Sequence, residues 1–589
     1  MKTFLLACAL VLALVDARTQ PINPRLAQAL QDTLAKYVAS LPNIKGASVS
    51  VQLPGRNVWT GTAGVSHAGV SIEPNMLFGI ASNTKLFVAV AILKLSESGT
   101  LSLGDSIGKW IAPYPNIDGG ITVRQLLQHT SGISDPLFVA PWVDTIRKNS
   151  TRVFTPEEVM QWVGAPLFAP GKGWGYSNMN YVIAGLIAEQ SSGKHISTLI
   201  REHILSPLEL DETFFDVKEI APGPIAHRWF NGVDLHDSSR VGLNTAGASA
   251  GAMFSTSRDM VRWYAALLGG ELLDSAAFRE LTTFVATPGP YTYGLGIERQ
   301  SFFDHIVMGH GGSTWGYRSR MVYDPCLGAA VCGISNSWPS GVEGVTLLLY
   351  NVIIERLPAC AASIAGPTTM CAGQDSVTFT TPIIPGADTY EWILSEGMQG
   401  ASTTNTIVIQ MTDVATSGSI TVRGVNSFGE GGATSLSITI TPKPPIPVIT
   451  FDGTVLRSNV SVGNQWYNIA GKIAGATNQN YTPTVEDTYY VIVTEGSCSS
   501  DTSNNIRTTF TGVDGEHDVT ENKIVVYPNP AYGHITFTCA LSNIEIVNTV
   551  GEVVLRVAGP TTNISTVGLI PGMNYVRWGN VVRAVVVGE

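Results

Sequence analysis

The sequence predicts a multidomain chain: a mixed α/β domain first, then all-β sandwich modules, then a small all-β block at the C-terminus. Three observations predict this. At roughly 150 residues per domain, a length of 589 residues suggests about four domains. Helical and strand patterns mix up to about Pro358, after which Thr/Ser/Val alternation with turn residues takes over. Trp392 and Trp466, each in a strand-like setting, then recur 74 residues apart, a reasonable sandwich spacing.

Composition narrows the class. Charged residues are 14% of the chain, against roughly 25% in an average soluble domain, and there are 60 glycines and 32 prolines. A hydrophobic fraction of 44% is too high for a disordered chain, and a net charge of −11 argues against nucleic acid as a partner. Lys2, the apolar run Phe4 to Val15 and the small residue Ala17 read as a signal peptide over residues 1–17. Cys8 lies inside that run, which disfavours a lipid anchor on it. No later stretch has ~18 uninterrupted apolar residues, so no membrane span is expected in the mature chain. The expected location is secreted or on the outer cell surface. Six cysteines follow the leader, too scattered for a disulfide scaffold and without a C-x-x-C pair for zinc. Cys360–Cys371 is the one pairing the spacing suggests, with buried free thiols as the alternative.

Within the first domain, residues 20–358, Leu86 to Leu95 is apolar on nearly every helical face, as in a helix buried inside a large domain. Asp259 to Leu268 reads as a second helix, and Gly309 to Pro325 with Ala329 to Asn336 as a strand pair near a domain edge. Two sandwiches follow, over residues 359–443 and 444–512, separated by the stiff segment Pro442-Lys443-Pro444-Pro445-Ile446-Pro447. The last block, residues 520–589, contains Tyr527-Pro528-Asn529-Pro530, Ile544 to Asn548 before Gly551, Asn563 to Thr566 and Arg583 to Val587.

Four short elements of the first domain carry chemistry in order: Ser82-Asn83-Thr84-Lys85, Leu127 to Ile133, Tyr176-Ser177-Asn178 and His310-Gly311-Gly312. Ser82 opens the buried helix, and Lys85 lies three residues on, on the same face. A serine hydroxyl needs a neighbour to take its proton. Lys85 can do so if burial lowers its pKa, and Tyr176 could serve instead as a phenolate kept low by the same lysine. The helix start adds partial positive charge and the Ser82 N–H for a developing oxyanion. Ser191 with Lys194 has the same spacing but leads into no long apolar helix, and Tyr114-Pro115-Asn116 lies in a proline-flanked turn. Gly247-Ala248-Ser249-Ala250-Gly251 fits a nucleophile elbow, but the possible acid and histidine, Asp304 and His310, lie only six residues apart.

Residues 25–355 resemble the penicillin-recognising serine hydrolases: class C β-lactamases, D-Ala-D-Ala carboxypeptidases and related esterases. The resemblance rests on Phe78 to Lys85, His129 to Ile133, Tyr176 to Asn178, Gly251 to Thr256 with Asp259, and Gly309 to Gly312. It implies a serine β-lactamase-like fold with Ser82 as the acylated nucleophile and Lys85 and Tyr176 sharing base and acid duty. Asn178 would position the substrate amide, the backbone N–H groups of Ser82 and Ser313 would form the oxyanion hole, and Gly312 would border the substrate. His310 stands where many relatives carry lysine, an exchange common in the carboxypeptidase and esterase branches, so a dedicated β-lactamase is disfavoured. Arg318 and Arg320 offer a carboxylate contact as one reading and strand-surface charge as the other; His129 reads as structural. No metal or organic cofactor is implied. The sandwiches resemble immunoglobulin-like and PKD-like repeats, in which Cys498 lacks its usual early partner. The last block resembles a type IX secretion C-terminal sorting domain, with Arg583 where that family places lysine. The expected activity is hydrolysis of D-Ala-D-Ala-like peptides or small esters and amides. The alternatives are β-lactam hydrolysis or a surface binding protein without turnover.

Overall fold

The computed structural model describes residues 20–509, 526–527, 533–569, 571–578 and 581–587. The expected signal peptide and most of Tyr527-Pro528-Asn529-Pro530 lie outside these residues.

The first domain is built on a nine-stranded antiparallel sheet. Its strands are β1 (Gly46–Gln52), β2 (Trp59–His67), β3 (Val70–Ser71), β4 (Val285–Ala286), β5 (Tyr291–Tyr293), β6 (Glu298–Phe302), β7 (His305–Thr314), β8 (Tyr317–Asp324) and β9 (Ala329–Ser335). The order across the sheet is β3-β2-β1-β9-β8-β7-β6-β5-β4. The expected strand pair is therefore the centre of the sheet rather than its edge. Gly309 to Pro325 is itself a hairpin, broken at Trp315-Gly316, because Gly316 takes the positive φ of 98° that such a tight turn requires.

Side-chain alternation assigns the two faces. Val49 and Val51 of β1 and Val331 of β9 join Leu26, Leu30, Leu34 and Val38 of α1 (Pro24–Ser40) and Val345, Leu349 and Ile353 of α5 (Val342–Arg356). The four α1 residues recur every fourth position and form one apolar stripe. On the other face, Ser48 and Ser50 of β1 each bond the Ser257 hydroxyl at 2.8 Å, at the start of α4 (Ser257–Leu268). Cys332 and Ile334 of β9 join the larger core on that side.

At the centre of that core is α2 (Thr84–Glu97), buried without a break from Thr84 to Leu93, as its all-round apolar sequence requires. Phe87 stacks on Trp263 of α4 with ring centroids 4.5 Å apart. Beside α2 lies α3 (Asn178–Ser192), buried from Met179 to Ala188. The two helices bring Lys85 and Asn178 together.

Beyond α5 the described chain contains strands and no α-helix. Thr369–Cys371, Thr434–Thr441, Gly418–Asn426 and Thr389–Leu394 form one sheet, and Val377–Thr380, Thr406–Met411 and Met398–Gln399 a second. The following module carries Trp466 fully buried, its indole N–H donating to the Asn478 carbonyl at 2.9 Å. Two small sheets follow near the C-terminus, and the strand Val581–Val587 forms an edge of the four-stranded one.

The cysteine expectation is corrected. Cys326 bonds Cys360, tying the β8–β9 turn to the segment after α5, and Cys371 bonds Cys498, tying the two β-modules together. Cys360 and Cys371 therefore have different partners. Cys332 is a buried free thiol, and burial in apolar surroundings pushes its pKa up. Non-reducing peptide mapping should recover Cys326–Cys360 and Cys371–Cys498 as linked peptides, with Cys332 alkylated only after unfolding. A Cys360–Cys371 link would contradict this arrangement.

Candidate active site

Ser82 sits on a short 3₁₀ turn, Ala81–Asn83, and α2 itself begins at Thr84. The nucleophile candidate thus stands just before the helix rather than as its first residue. Ala81 takes φ +49°, sparsely populated for a residue with a Cβ. Neighbours hold the turn in place. The Ile80 N–H donates to the Met253 carbonyl at 3.0 Å. The Ser319 hydroxyl donates to the Ile80 carbonyl at 2.8 Å, and the Asn83 amide donates back to Ser319 at 2.9 Å. Tyr264 of α4 donates to Asn83 at 3.1 Å, tying the turn to the core.

Lys85 is fully buried one helical turn on. Its ammonium donates to Ser82 Oγ at 3.0 Å, Asn178 Oδ1 at 2.7 Å and the Ala250 carbonyl at 2.8 Å, so its three donors each meet an acceptor. The rings of Tyr176 and Tyr181 lie 5.0 and 5.6 Å away. Burial lowers the lysine pKa to about 7, against the opposing charge of Asp135. Tyr176 donates its O–H to Ser82 Oγ at 2.9 Å. Burial raises its phenol well above the ordinary tyrosine value, which corrects the expectation of a lysine-stabilised phenolate. Asn178 opens α3, and its side-chain and backbone N–H groups both donate to Asp135 Oδ2 at 2.8 Å. Asp135 itself is pushed up by burial, which outweighs these bonds and Lys85.

The opposite wall is β7. Strand β6 pairs with β7 only as far as Gly309, so the edge from His310 to Thr314 has no neighbouring strand. Thr314 and Tyr317 close a two-residue turn, which places Ser313, one residue back, with its N–H toward that free edge. Gly312 and Ser313 border the cavity that exposes Ser82. A Cβ at Gly312 would stand 2.2 Å from the Ile80 carbonyl oxygen, so only glycine lets β7 approach the Ser82 turn this closely.

His310 departs from the expected substrate contact. Its ring is buried and does not line the cavity. Nδ1–H donates to the Gly311 carbonyl at 2.6 Å, and Nε2 accepts from Tyr293 O–H at 2.9 Å. Burial lowers its pKa and holds it neutral. Arg318 and Arg320 pair with Glu343 and Glu298. His129 is buried behind Tyr176, 4.4 Å between ring centroids, and its Nδ1 accepts the Ser177 N–H at 3.3 Å at the entry to α3. Ser249 is no elbow nucleophile. Its stretch follows a helix rather than a strand, and its hydroxyl is buried, donating to the Tyr181 carbonyl at 2.7 Å.

The sequence reading missed Asp135, the Ala250 carbonyl and Tyr293. Asp135 had one visible signal, an aspartate directly before Pro136, a turn-capping arrangement that its bond from the Leu137 N–H fulfils. The cavity, about 540 Å³, has an apolar wall that includes Leu137, Val143, Phe230, Leu243, Trp315 and Trp338. A hydroxyl held between a lysine and a tyrosine at the foot of such a cavity is arranged for proton transfer and covalent attack.

Residues 32–352 match the family model described as beta-lactamase. The chain belongs to the beta-lactamase family. Residues 357–438 match the model of a PKD-like domain. The chain is 26% identical over 272 residues to penicillin-binding protein 4* of Bacillus subtilis (strain 168), covering 43% of this chain and 58% of that protein. It is 33% identical over 196 residues to protein flp of Staphylococcus aureus (strain MW2), covering 31% of this chain and 37% of that protein. In both, the match spans less than two thirds of the relative. Among solved structures, the D-amino acid amidase of Ochrobactrum anthropi SV3 complexed with L-phenylalanine amide superposes with TM-score 0.51 at 27% identity, covering 56% of this chain and 99% of the amidase.

The close approach at Gly312 yields a test. Gly312→Ala should destabilise the protein by about 1–3 kcal/mol in denaturant unfolding. Gly311→Ala, whose added carbon would meet only the Arg320 side chain at 3.5 Å, should change stability far less.

Proposed function

We propose that the protein is an exported serine hydrolase that forms an acyl-enzyme on Ser82 and acts on D-Ala-D-Ala-like peptides or on small esters and amides. One observation carries this reading: Ser82 Oγ accepts hydrogen bonds from both Lys85 and Tyr176 at the foot of the cavity. With a pKa of about 7, a substantial fraction of Lys85 is neutral near neutrality. The neutral amine keeps its bonds to Asn178 and Ala250 and turns its lone pair to Ser82, whose proton it takes as Oγ attacks. Tyr176, held neutral, carries a proton that can pass to the leaving group while Lys85 restores it. The Ser82 and Ser313 N–H groups receive the oxyanion. Water then attacks the ester, giving its proton to the same pair.

Among the described residues that line the cavity there is no lysine or arginine, which favours uncharged amides and esters over substrates with a carboxylate beside the scissile bond, β-lactams included. The relatives named as penicillin-binding protein and amidase support peptide or amide substrates. Release of a chromophore from an aryl ester should fall at least about a thousandfold in Ser82→Ala. A wild type inert toward esters, amides and penicillin alike would favour the silent binding protein instead. The kcat/KM profile should rise through pH 7 as Lys85 loses its proton. Asp135→Asn removes a charge that holds the lysine's proton on, so the acid limb should move to lower pH. A limb that stays in place would contradict Lys85 as the base.

For the flanking parts, we read residues 1–17 as the export signal and 520–589 as a type IX sorting domain. The order of the C-terminal motifs supports this, with Arg583 supplying the cation before the last valines. Deleting residues 520–589 should retain the protein inside the cell; unchanged secretion would overturn that assignment.

A further inference from the structure

Among the described residues that line the cavity, Glu343 is the one acidic or basic side chain. It lies in the first turn of α5 and pairs with the Arg318 guanidinium from β8. Arg318 also reaches the Ser313 hydroxyl through Nη1 at 3.4 Å. The same hydroxyl oxygen accepts the Trp338 indole N–H at 3.1 Å. With both lone pairs engaged, Ser313 has only its own proton to offer a ligand. The Arg318 guanidinium is thus already met by a carboxylate of the chain itself, as a carboxylate ligand would meet it.

We infer that Glu343 is a specificity-determining residue: it turns away substrates that carry a carboxylate beside the scissile bond, and so, of the substrate classes proposed above, selects uncharged esters and amides over peptides that end in a free D-Ala-D-Ala carboxylate. This deepens the acyl-enzyme reading and rests on it. A substrate carboxylate would have to displace Glu343 from Arg318 while facing its negative charge, a penalty that a carboxamide of the same shape avoids. Phe230 and Trp338, stacked with ring centroids 4.7 Å apart, and Trp315 offer such a neutral group apolar surface instead.

The test compares two aryl esters whose leaving groups differ only in a meta carboxylate or a meta carboxamide. The wild type should prefer the carboxamide by at least tenfold in kcat/KM. Glu343→Gln frees Arg318 and should bring the ratio to within threefold of unity. Adding Arg318→Ala to that variant should lower turnover of the carboxylate ester relative to Glu343→Gln alone, since the guanidinium that receives the carboxylate is gone. A wild type that prefers the carboxylate, or a ratio unchanged in Glu343→Gln, overturns the inference while leaving the Ser82 reading intact. Turnover of neither ester by the wild type defeats the acyl-enzyme reading itself, and the inference with it.

Discussion

A lysine removed from water must shed its charge or find an acceptor for every proton, and Lys85 is held where both outcomes are close in energy. The Ser82 hydroxyl, the Asn178 side chain and the Ala250 carbonyl take its three protons, while burial draws its pKa down to about 7. Each acceptor comes from a different part of the chain: the turn before α2, the start of α3, and the loop after the helix Val241–Gly247. The core packs these segments so tightly that none can withdraw without leaving a buried polar group unpaired. Asp135 adds a second control, since it both anchors Asn178 and raises the lysine's proton affinity.

The sheet supplies the other half of the site by approach rather than by bonding. Strand β7 can come within van der Waals range of the Ser82 turn only because Gly312 lacks a side chain, and Ser319 of β8 fastens the same turn through the Ile80 carbonyl. The strained φ of Ala81 is thus held from both sides. Because β6 pairs with β7 only as far as Gly309, the β7 edge beyond it faces the cavity instead of another strand. Interrupted pairing on an otherwise continuous sheet leaves backbone donors for a ligand.

The sequence revealed what depends on local chemistry. Ser82 and Lys85 are three residues apart, Tyr176 and Asn178 two, and an all-apolar helix has few places to go except the core; each of these was legible. The loss of helical pattern after Pro358 marked the all-β region for the same reason. What could not be read depends on long-range packing. Cys371 and Cys498 are 127 residues apart, and only the docking of two β-modules makes them neighbours. Asp135 looks like any turn-capping aspartate until folding sets it beside Asn178. The identity of His310 was plain, but its side depends on the β7 alternation and on Tyr293, which take it out of the cavity. Whether Arg318 is free depends on Glu343, supplied by a helix 25 residues further along.

The central claim, a nucleophile at Ser82 activated by Lys85, is tested most directly by intact mass after incubation with an uncharged alkyl fluorophosphonate, followed by peptide mapping. The account predicts a covalent adduct confined to the peptide containing Ser82 and absent from Ser82→Ala. It further predicts that the adduct forms faster as pH rises through 7. An adduct on another residue, or one formed equally by Ser82→Ala, would contradict it.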